Sequence, residues 1–136
     1  MSEDGEIEGL LIGLAVCGVI TIIFVLAGMK ERRKISHIVE QLPKEDIEKL
    51  RLSQFLESHE NANFLVGSSI IYDIVNRSND VEINLVFYDY YYDMFKIDSV
   101  HITKEVYNKR DFKVGQMVET VHNRKSEVWL RVKEIL

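Results

Sequence analysis

One uninterrupted apolar stretch constrains this chain more than any other feature of its sequence. Residues 9–29 contain no charged side chain. As an α-helix, a segment of this length rises about 31 Å, and the hydrocarbon layer of a membrane is about 30 Å thick. A helix satisfies its own backbone hydrogen bonds, which that layer requires. The sequence therefore predicts one transmembrane helix over residues 9–29, with the lipid bilayer as its surroundings.

Two other interpretations fit the apolar stretch less well. A buried core helix needs an interior that the remaining residues, about 100 in number, are too few to build. A cleaved signal peptide has a positively charged start, a shorter apolar segment and a small-residue cleavage site. Residues 1–8 instead form an acidic tail that holds Glu3, Asp4, Glu6 and Glu8 and no Lys or Arg.

The charges that flank the apolar stretch predict its orientation. Lys30, Arg32, Arg33 and Lys34 follow the stretch directly, and no basic residue precedes it. Basic residues collect on the cytoplasmic side of membrane helices. We therefore expect a single-pass protein of the cell membrane, with the N-terminus outside and the C-terminal domain in the cytoplasm. The same four side chains either act only as this topology signal or also bind anionic lipid headgroups.

Small residues recur every four positions along the apolar stretch, at Gly9, Gly13, Cys17 and Thr21. This spacing places them on one helix face, where small side chains let two membrane helices approach closely. The pattern predicts a homodimer or a docking face for another membrane helix. The alternative is that glycine is simply frequent in membrane helices. Cys17 is the only cysteine, so the chain forms no internal disulfide.

The remaining residues divide into a connector and a small domain. Residues 30–62 form a basic juxtamembrane and helical connector, in which the first helix continues for a turn or two and a second runs from Pro43 to about His59, with Pro43 suited to the first helical turn. Residues 63–136 form a β-domain. Its strands are expected at 64–75, 81–88, 94–102, in the segment from 113 onward after a tight turn at Gly115, and at 127–135, because apolar residues alternate there.

Turn compositions separate these strands, and Thr103 is a suitable cap for a short helix before the fourth. The predicted fold class is α+β. One N-terminal transmembrane helix and a helical connector precede a small antiparallel five-stranded β-barrel or sandwich with one short helix.

A resemblance supports this fold. Residues 100–118 read VHITKEVYNKRDFKVGQMV. The pattern of a strand, a tyrosine, a spacer and a Val-Gly-Asp turn before another strand resembles small bacterial single-pass membrane proteins of unknown function, which carry a C-terminal β-barrel-like domain. The likeness covers about residues 64–136, and Gln116 stands where those proteins usually have Asp. The resemblance implies the fold and carries no activity.

No catalytic or cofactor-binding motif stands out in the sequence. The four histidines, His37, His59, His101 and His122, lack the spacing of a metal site and are expected to be surface or half-buried residues. Asp89 and Asp93 bracket a tight segment and are interpreted as turn formers rather than as an acid–base pair. The sequence therefore predicts no catalytic residue, no metal site and no cofactor.

Six of the nine residues from Phe87 to Phe95 are aromatic. Alternation turns only about half of a strand's side chains inward, so the others are expected to be exposed at a strand end or a hairpin tip. Tyrosine offers a rigid contact area with a polar end, which suits recognition surfaces. The partner-binding candidates are Tyr88, Tyr90, Tyr91, Tyr92 and Phe95. The alternative is that tyrosine, a good strand former, lines both faces of a hairpin.

The charge near these aromatic residues argues against a nucleic-acid partner. The chain has a net charge of −5, and nucleic-acid binding draws most of its affinity from Lys and Arg. Asp89, Asp93 and Asp98 surround the aromatic run with Lys96 alone among basic residues. A separate basic patch is formed by Lys109, Arg110 and Lys113.

These features predict a non-enzymatic, membrane-anchored interaction module with a protein or peptide partner. One alternative is an enzyme subunit whose site is completed by a partner chain and draws on groups such as Asp73, His101 and Tyr107. Another alternative is an extracytoplasmic sensor domain.

Overall fold

The computed structural model describes residues 3–53, 56–57, 64–124 and 130–136. The chain divides into two compact units, Met1–Ser36 and His37–Leu136. The described part of the first unit is helical, and the second unit contains the end of that helix, a second helix and the sheet.

The first helix, α1, spans Glu3–Glu40. Near the N-terminus it is long enough and apolar enough to cross a membrane, by length and composition. Its side chains from residue 7 to residue 29 are exposed. The helix continues without a break through the basic residues and ends at Glu40, as the sequence predicts.

The second helix, α2, spans Lys44–Leu52 and follows Pro43. It ends earlier than the predicted His59, which lies outside the described residues. Ser53 leaves the helix in an extended conformation, and its Oγ accepts a hydrogen bond of 3.1 Å from the backbone N–H of Ser68. Leu56–Glu57 then form a two-residue strand, β1. The helix thus ends where the chain begins to contact the sheet, although its apolar pattern continues beyond that point.

The other strands are β2 (Phe64–Asn76), β3 (Val81–Asp89), β4 (Met94–Ile102), β5 (Met117–Arg124) and β6 (Leu130–Ile135). The sheet order is β4-β3-β2-β5-β6, with β1 paired beside β2. Every pairing is antiparallel. These five strands form a curled half-barrel, which confirms the predicted small antiparallel β-fold.

The long strand β2 makes the sheet curl. Its first half pairs with β5 and its second half with β3, and the register shifts between Ile71 and Asp73. Such a bulge bends a strand and increases its twist. The two halves of β2 therefore belong to neighbouring parts of a curved sheet.

Helix α3 (Lys104–Arg110) connects β4 to β5. Thr103 caps it, since its side chain accepts a hydrogen bond from the backbone N–H of Val106, as predicted. The strand that follows begins at Met117, after a tight turn at Gly115, as the sequence predicts. Gly115 adopts a left-handed φ of 89°, and its N–H donates to the carbonyl of Ile71 at 2.7 Å. This turn, which glycine favours, comes directly before the strand.

Apolar side chains fill the concave face of the half-barrel. The buried members are Ile71, Val81, Ile83, Leu85, Val100, Phe112 and Val118. Tyr107 of α3 packs against them. Removing such side chains from water is the main driving force for folding.

A second apolar cluster covers the convex face of the sheet. Leu50 of α2 is 1% exposed and is buried together with Ile70 and Val86. Ile38, Val39 and Leu42, from the end of α1 and the loop after it, pack against the same cluster. The second half of the connector therefore packs on the β-sheet.

Candidate functional site

The predicted aromatic candidates lie at the tip of the β3–β4 hairpin. Residues 90–93 form the turn between the two strands. Asp93 takes a left-handed φ of 50°, a conformation that Asp adopts more readily than most residues. The register pairs Tyr88 with Phe95 and Asp89 with Met94 on either side of the turn. The aromatic run thus forms a hairpin, as the sequence predicts.

Tyr88 and Phe95 hold the tip to the convex face of the sheet. Their ring centroids are 5.1 Å apart, and both rings pack against the cluster around Leu50. The guanidinium carbon of Arg51 lies 5.6 Å from the Phe95 ring centroid, and the Tyr88 hydroxyl donates a hydrogen bond to Asp93. These two candidates are half-buried anchors rather than exposed contact residues.

A buried ion pair holds the tip from the concave face. The Asp89 and Lys96 side chains are 1% and 16% exposed, and Lys96 Nζ lies 2.9 Å from Asp89 Oδ2. Asp89 Oδ1 accepts a hydrogen bond from the backbone N–H of Tyr91. Lys96 Nζ also lies 4.6 Å from the ring centroid of Tyr92, a cation–π geometry. Asp89 is therefore a structural ion-pair partner as well as the turn former that the sequence predicts.

Tyr90 and Tyr91 are the exposed aromatic side chains of the tip. They are 52% and 69% exposed, and Met94 beside them is also exposed. Tyr91 contacts the half-buried Tyr92 edge-on, with ring centroids 5.0 Å apart. Of the five aromatic candidates, these two offer the largest surface to another molecule.

The structure also shows a polar cluster inside the half-barrel that sequence reasoning missed. Ser69, Thr120 and His122 are all 0% exposed. Thr120 Oγ1 lies 2.7 Å from Ser69 Oγ, 2.7 Å from His122 Nε2 and 3.2 Å from the Gly67 carbonyl. The His122 ring meets Phe87 edge-on at 4.6 Å. His122 is fully buried, so the expectation of a surface or half-buried histidine is wrong.

The hydroxyl of Thr120 determines how the protons of this cluster are arranged. A hydroxyl has one proton to donate, and a backbone carbonyl only accepts. All three contacts are hydrogen bonds when Thr120 donates to Gly67 while Ser69 and the Nε2–H of His122 donate to Thr120. Burial lowers the pKa of His122 from its usual 6.5 to about 4, against the opposing effect of Asp89. The cluster is therefore neutral near pH 7.

An alternation pattern in the sequence marks this cluster. Val118, Thr120 and His122 occupy every second position of β5 and therefore share one face of the sheet. Val118 belongs to the concave core, so the side chains of Thr120 and His122 also lie on the concave face.

His37 and His101 lie apart from this cluster, and His59 lies outside the described residues. His37 on α1 is exposed, and its Nε2 lies 3.0 Å from Gln41 Nε2. His101 is half exposed and pairs with Asp80 at 3.0 Å and with Glu82 at 3.6 Å. Among the residues that the structure describes, no three His, Cys, Asp or Glu side chains form a group that could hold a metal ion.

The groups proposed for a shared enzyme site make separate contacts. Tyr107 packs against the concave core, and His101 pairs with the carboxylates of Asp80 and Glu82. The Asp73 carboxylate accepts a hydrogen bond from the backbone N–H of Ile74.

The basic patch predicted near α3 is engaged within the domain. Lys109 pairs with Glu105 at 3.2 Å and Lys113 with Asp111 at 3.7 Å. The Arg110 guanidinium donates hydrogen bonds to the carbonyls of Ile135 and Leu136. The carboxylates of Glu105 and Asp111 offset part of the positive charge of this patch.

The membrane-helix candidates all lie on the exposed surface of α1. Gly9, Gly13, Cys17 and Thr21 are exposed, and a Cβ added at Gly9 or Gly13 would meet no atom within 4 Å. The Thr21 hydroxyl donates to the Cys17 carbonyl at 2.9 Å, so it is satisfied within its own helix. Lys30, Arg32, Arg33 and Lys34 are exposed further along the same helix.

The fold and these sites define a class of protein: a small α+β domain with an aromatic hairpin tip, in a chain whose N-terminal helix is long and apolar enough to cross a membrane. No protein-family model matches the sequence, and searches of curated proteins and of solved structures found no similar protein. The resemblance to small bacterial membrane proteins stays a prediction.

Proposed function

We propose that this chain is a single-pass membrane-anchored interaction module, whose β-domain offers its hairpin tip to a protein or peptide partner in the cytoplasm. The observation that carries the proposal is the exposure of Tyr90 and Tyr91 on a turn held from both faces of the sheet. Tyrosine is enriched at the centres of binding interfaces. A turn that is already ordered loses less conformational entropy when it binds a partner.

The contacts beneath the tip support this function. The buried Asp89–Lys96 pair fixes the concave side, while Tyr88 and Phe95 fix the convex side. Four aromatic or charged side chains thus stabilise the backbone that carries two exposed rings. Burying charges is costly. Residues that only favour strand formation do not require a buried ion pair at the end of the hairpin, so the pair points to a need for an ordered tip.

The membrane anchor and the sidedness are part of the same proposal. Helix α1 has the required length and composition, and its basic residues favour a cytoplasmic C-terminal domain. A reporter fused after Leu136 tests this arrangement. Fluorescence of green fluorescent protein without alkaline phosphatase activity is expected. The opposite result would place the β-domain outside the cytoplasm and favour the sensor alternative.

Site-specific photocrosslinking in cells tests the tip directly. A photoreactive amino acid replaces Tyr91 in the full chain, and the matched control carries it at Asn108, an exposed position on α3. We expect a defined crosslinked protein from position 91 that is absent from position 108. Equal crosslinking at both positions, or none at position 91, would contradict the proposal.

A further inference from the structure

The half-barrel ends in a seam between its two terminal strands, β4 and β6. These are the ends of the strand order, and they lie close to each other. Because every neighbouring pair in the sheet is antiparallel, β4 and β6 run in the same direction. They are not paired in the sheet. The outer edge of β6 therefore has backbone groups that need partners other than a strand.

Asp98 of β4 supplies an acceptor to this edge. Its side chain is 7% exposed, and its Oδ2 accepts a hydrogen bond of 2.7 Å from the backbone N–H of Val132. Its Oδ1 lies 3.2 Å from the guanidinium of Arg131 and accepts from the N–H of Ser99 at 2.8 Å. Hydrogen bonds to a charged group are about twice as strong as neutral ones. One carboxylate thus bridges the seam.

Arg110 of α3 supplies donors to the other end of the same strand. Its Nη1 donates to the carbonyl of Ile135 at 3.2 Å, and its Nη2 donates to the carbonyl of Leu136. The guanidinium is also held in place, with its carbon 4.8 Å from the Phe112 ring centroid. The N–H of Val132 thus has a carboxylate partner and the carbonyl of Ile135 has a guanidinium partner, and both partners are side chains from outside β5 and β6.

The same strand covers the buried polar cluster. Val132 packs against Phe87 and stands opposite His122 in the pairing of β5 with β6. Departure of β6 from the seam would therefore uncover Phe87 and His122. Among the described side chains of the strand, Val132 and Ile135 pack against the concave core.

We propose that β6 is a latched strand, held shut by Asp98 and Arg110, that opens as a unit to uncover the polar cluster while β2, β3 and β4 stay folded. Proteins open locally in cooperative units whose stability is below that of the whole molecule. A strand with one strand neighbour and two side-chain latches is such a unit. The device controls access of water or a ligand to Thr120 and His122 and does not depend on the function of the hairpin tip.

Hydrogen exchange of the full chain in detergent micelles tests the latch. In Asp98→Ala we expect the amides of residues 130–136 to exchange about ten- to a hundredfold faster, since charge-assisted hydrogen bonds are lost. Peptides from β3 and from the second half of β2 should keep their rates. Asp73→Ala is the matched control, because that carboxylate also accepts from the next residue's N–H but bridges no seam, and it should leave residues 130–136 unchanged.

Two results would overturn this proposal. Unchanged exchange of residues 130–136 in Asp98→Ala means that the carboxylate is no latch. An equal increase in β2, β3 and β6 means that the sheet opens only as a whole. Asp98→Asn is a milder second variant for the case in which Asp98→Ala does not fold. The Asn amide oxygen still accepts a hydrogen bond from the N–H of Val132, but the negative charge that pairs with Arg131 is lost. It should give a smaller increase, confined to the same residues.

Discussion

At the scale of single residues, the most informative positions are charged or polar groups that the sheet buries. His122 is an example, because its buried surroundings lower the pKa of its imidazole. Burial lowers its pKa to about 4. The histidine is therefore neutral in the folded domain at a pH where it would be charged in the unfolded chain.

This difference predicts a loss of stability in acid. Above about pH 6.5, His122 is neutral in both states. Between pH 6.5 and about 4, the unfolded chain binds a proton that the folded chain does not, so the free energy of unfolding falls as the pH falls. The full loss is about 3 kcal/mol, at about 1.4 kcal/mol per pKa unit. Denaturant unfolding followed by the fluorescence of the single tryptophan measures it.

His122→Gln should remove this part of the pH dependence, whatever its effect on the stability at pH 7. The control His37→Gln retains His122 and should keep the slope. A slope that is the same in His122→Gln and in the unsubstituted chain would contradict the assignment.

The ion pair beneath the hairpin tip leads to a second prediction at this scale. Asp89→Asn leaves the Lys96 charge in a mostly buried position, and breaking a buried pair in this way costs about 3 kcal/mol or more. Lys109→Ala removes an exposed pair with Glu105 and should change the free energy of unfolding by less than about 0.5 kcal/mol. Unfolding in urea compares the two variants. Equal effects would mean that Asp89 is not a stabilising group.

At the scale of elements, α2 is the clearest case in which packing against the sheet determines which side chains of a helix are buried. Leu50 is 1% exposed and Leu52 is 80% exposed, although both are leucines of the same short helix. Leu50→Ala should cost about 2–5 kcal/mol, the usual range for a buried leucine. Leu52→Ala should change stability by less than about 0.5 kcal/mol. If thermal unfolding shows equal losses, the helix does not pack as described.

The small-residue face of α1 leads to a prediction that separates association from folding. A side chain added at Gly13 or at Gly18 meets no atom within 4 Å, so neither change should disturb the helix of a single chain. Gly13→Leu should abolish self-association in a membrane two-hybrid assay, because close helix approach requires small residues. Gly18→Leu lies off that face and should associate normally. Association that persists in Gly13→Leu would rule out this face as the interface.

At the scale of the whole molecule, the expected membrane location depends on one helix, which is long and apolar enough to cross a membrane. Arg at the centre of a membrane helix costs about 3 kcal/mol of insertion free energy. Val19→Arg places a charge near the middle of the apolar stretch and should lower the fraction of chain that resists carbonate extraction. Glu31→Arg, beyond the stretch, should leave that fraction unchanged. Full-length chain found in the aqueous fraction as a monomer would contradict a membrane anchor.

The order and type of the five main strands, β2 to β6, were predictable because alternation and turn composition act over a few residues, whereas β1 was not predicted. Val81, Ile83, Leu85 and Phe87 alternate clearly, and all four lie in the buried interior. Thr103 was recognisable as a cap because a cap depends only on the next three residues. The early end of α2 was not predictable, since it depends on Ser53 meeting Ser68, fifteen positions away.

The sequence by itself determined the apolar helix, the antiparallel β-domain after it and the aromatic hairpin, because each depends on the periodicity of neighbouring side chains. Tertiary structure alone decided which tyrosines are exposed, that Asp89 and His122 are buried, and that Asp98 bridges β4 to β6. Those outcomes depend on how a curved sheet brings distant strands together. Asp98 and Val132 are thirty-four positions apart in the chain and are joined by one hydrogen bond.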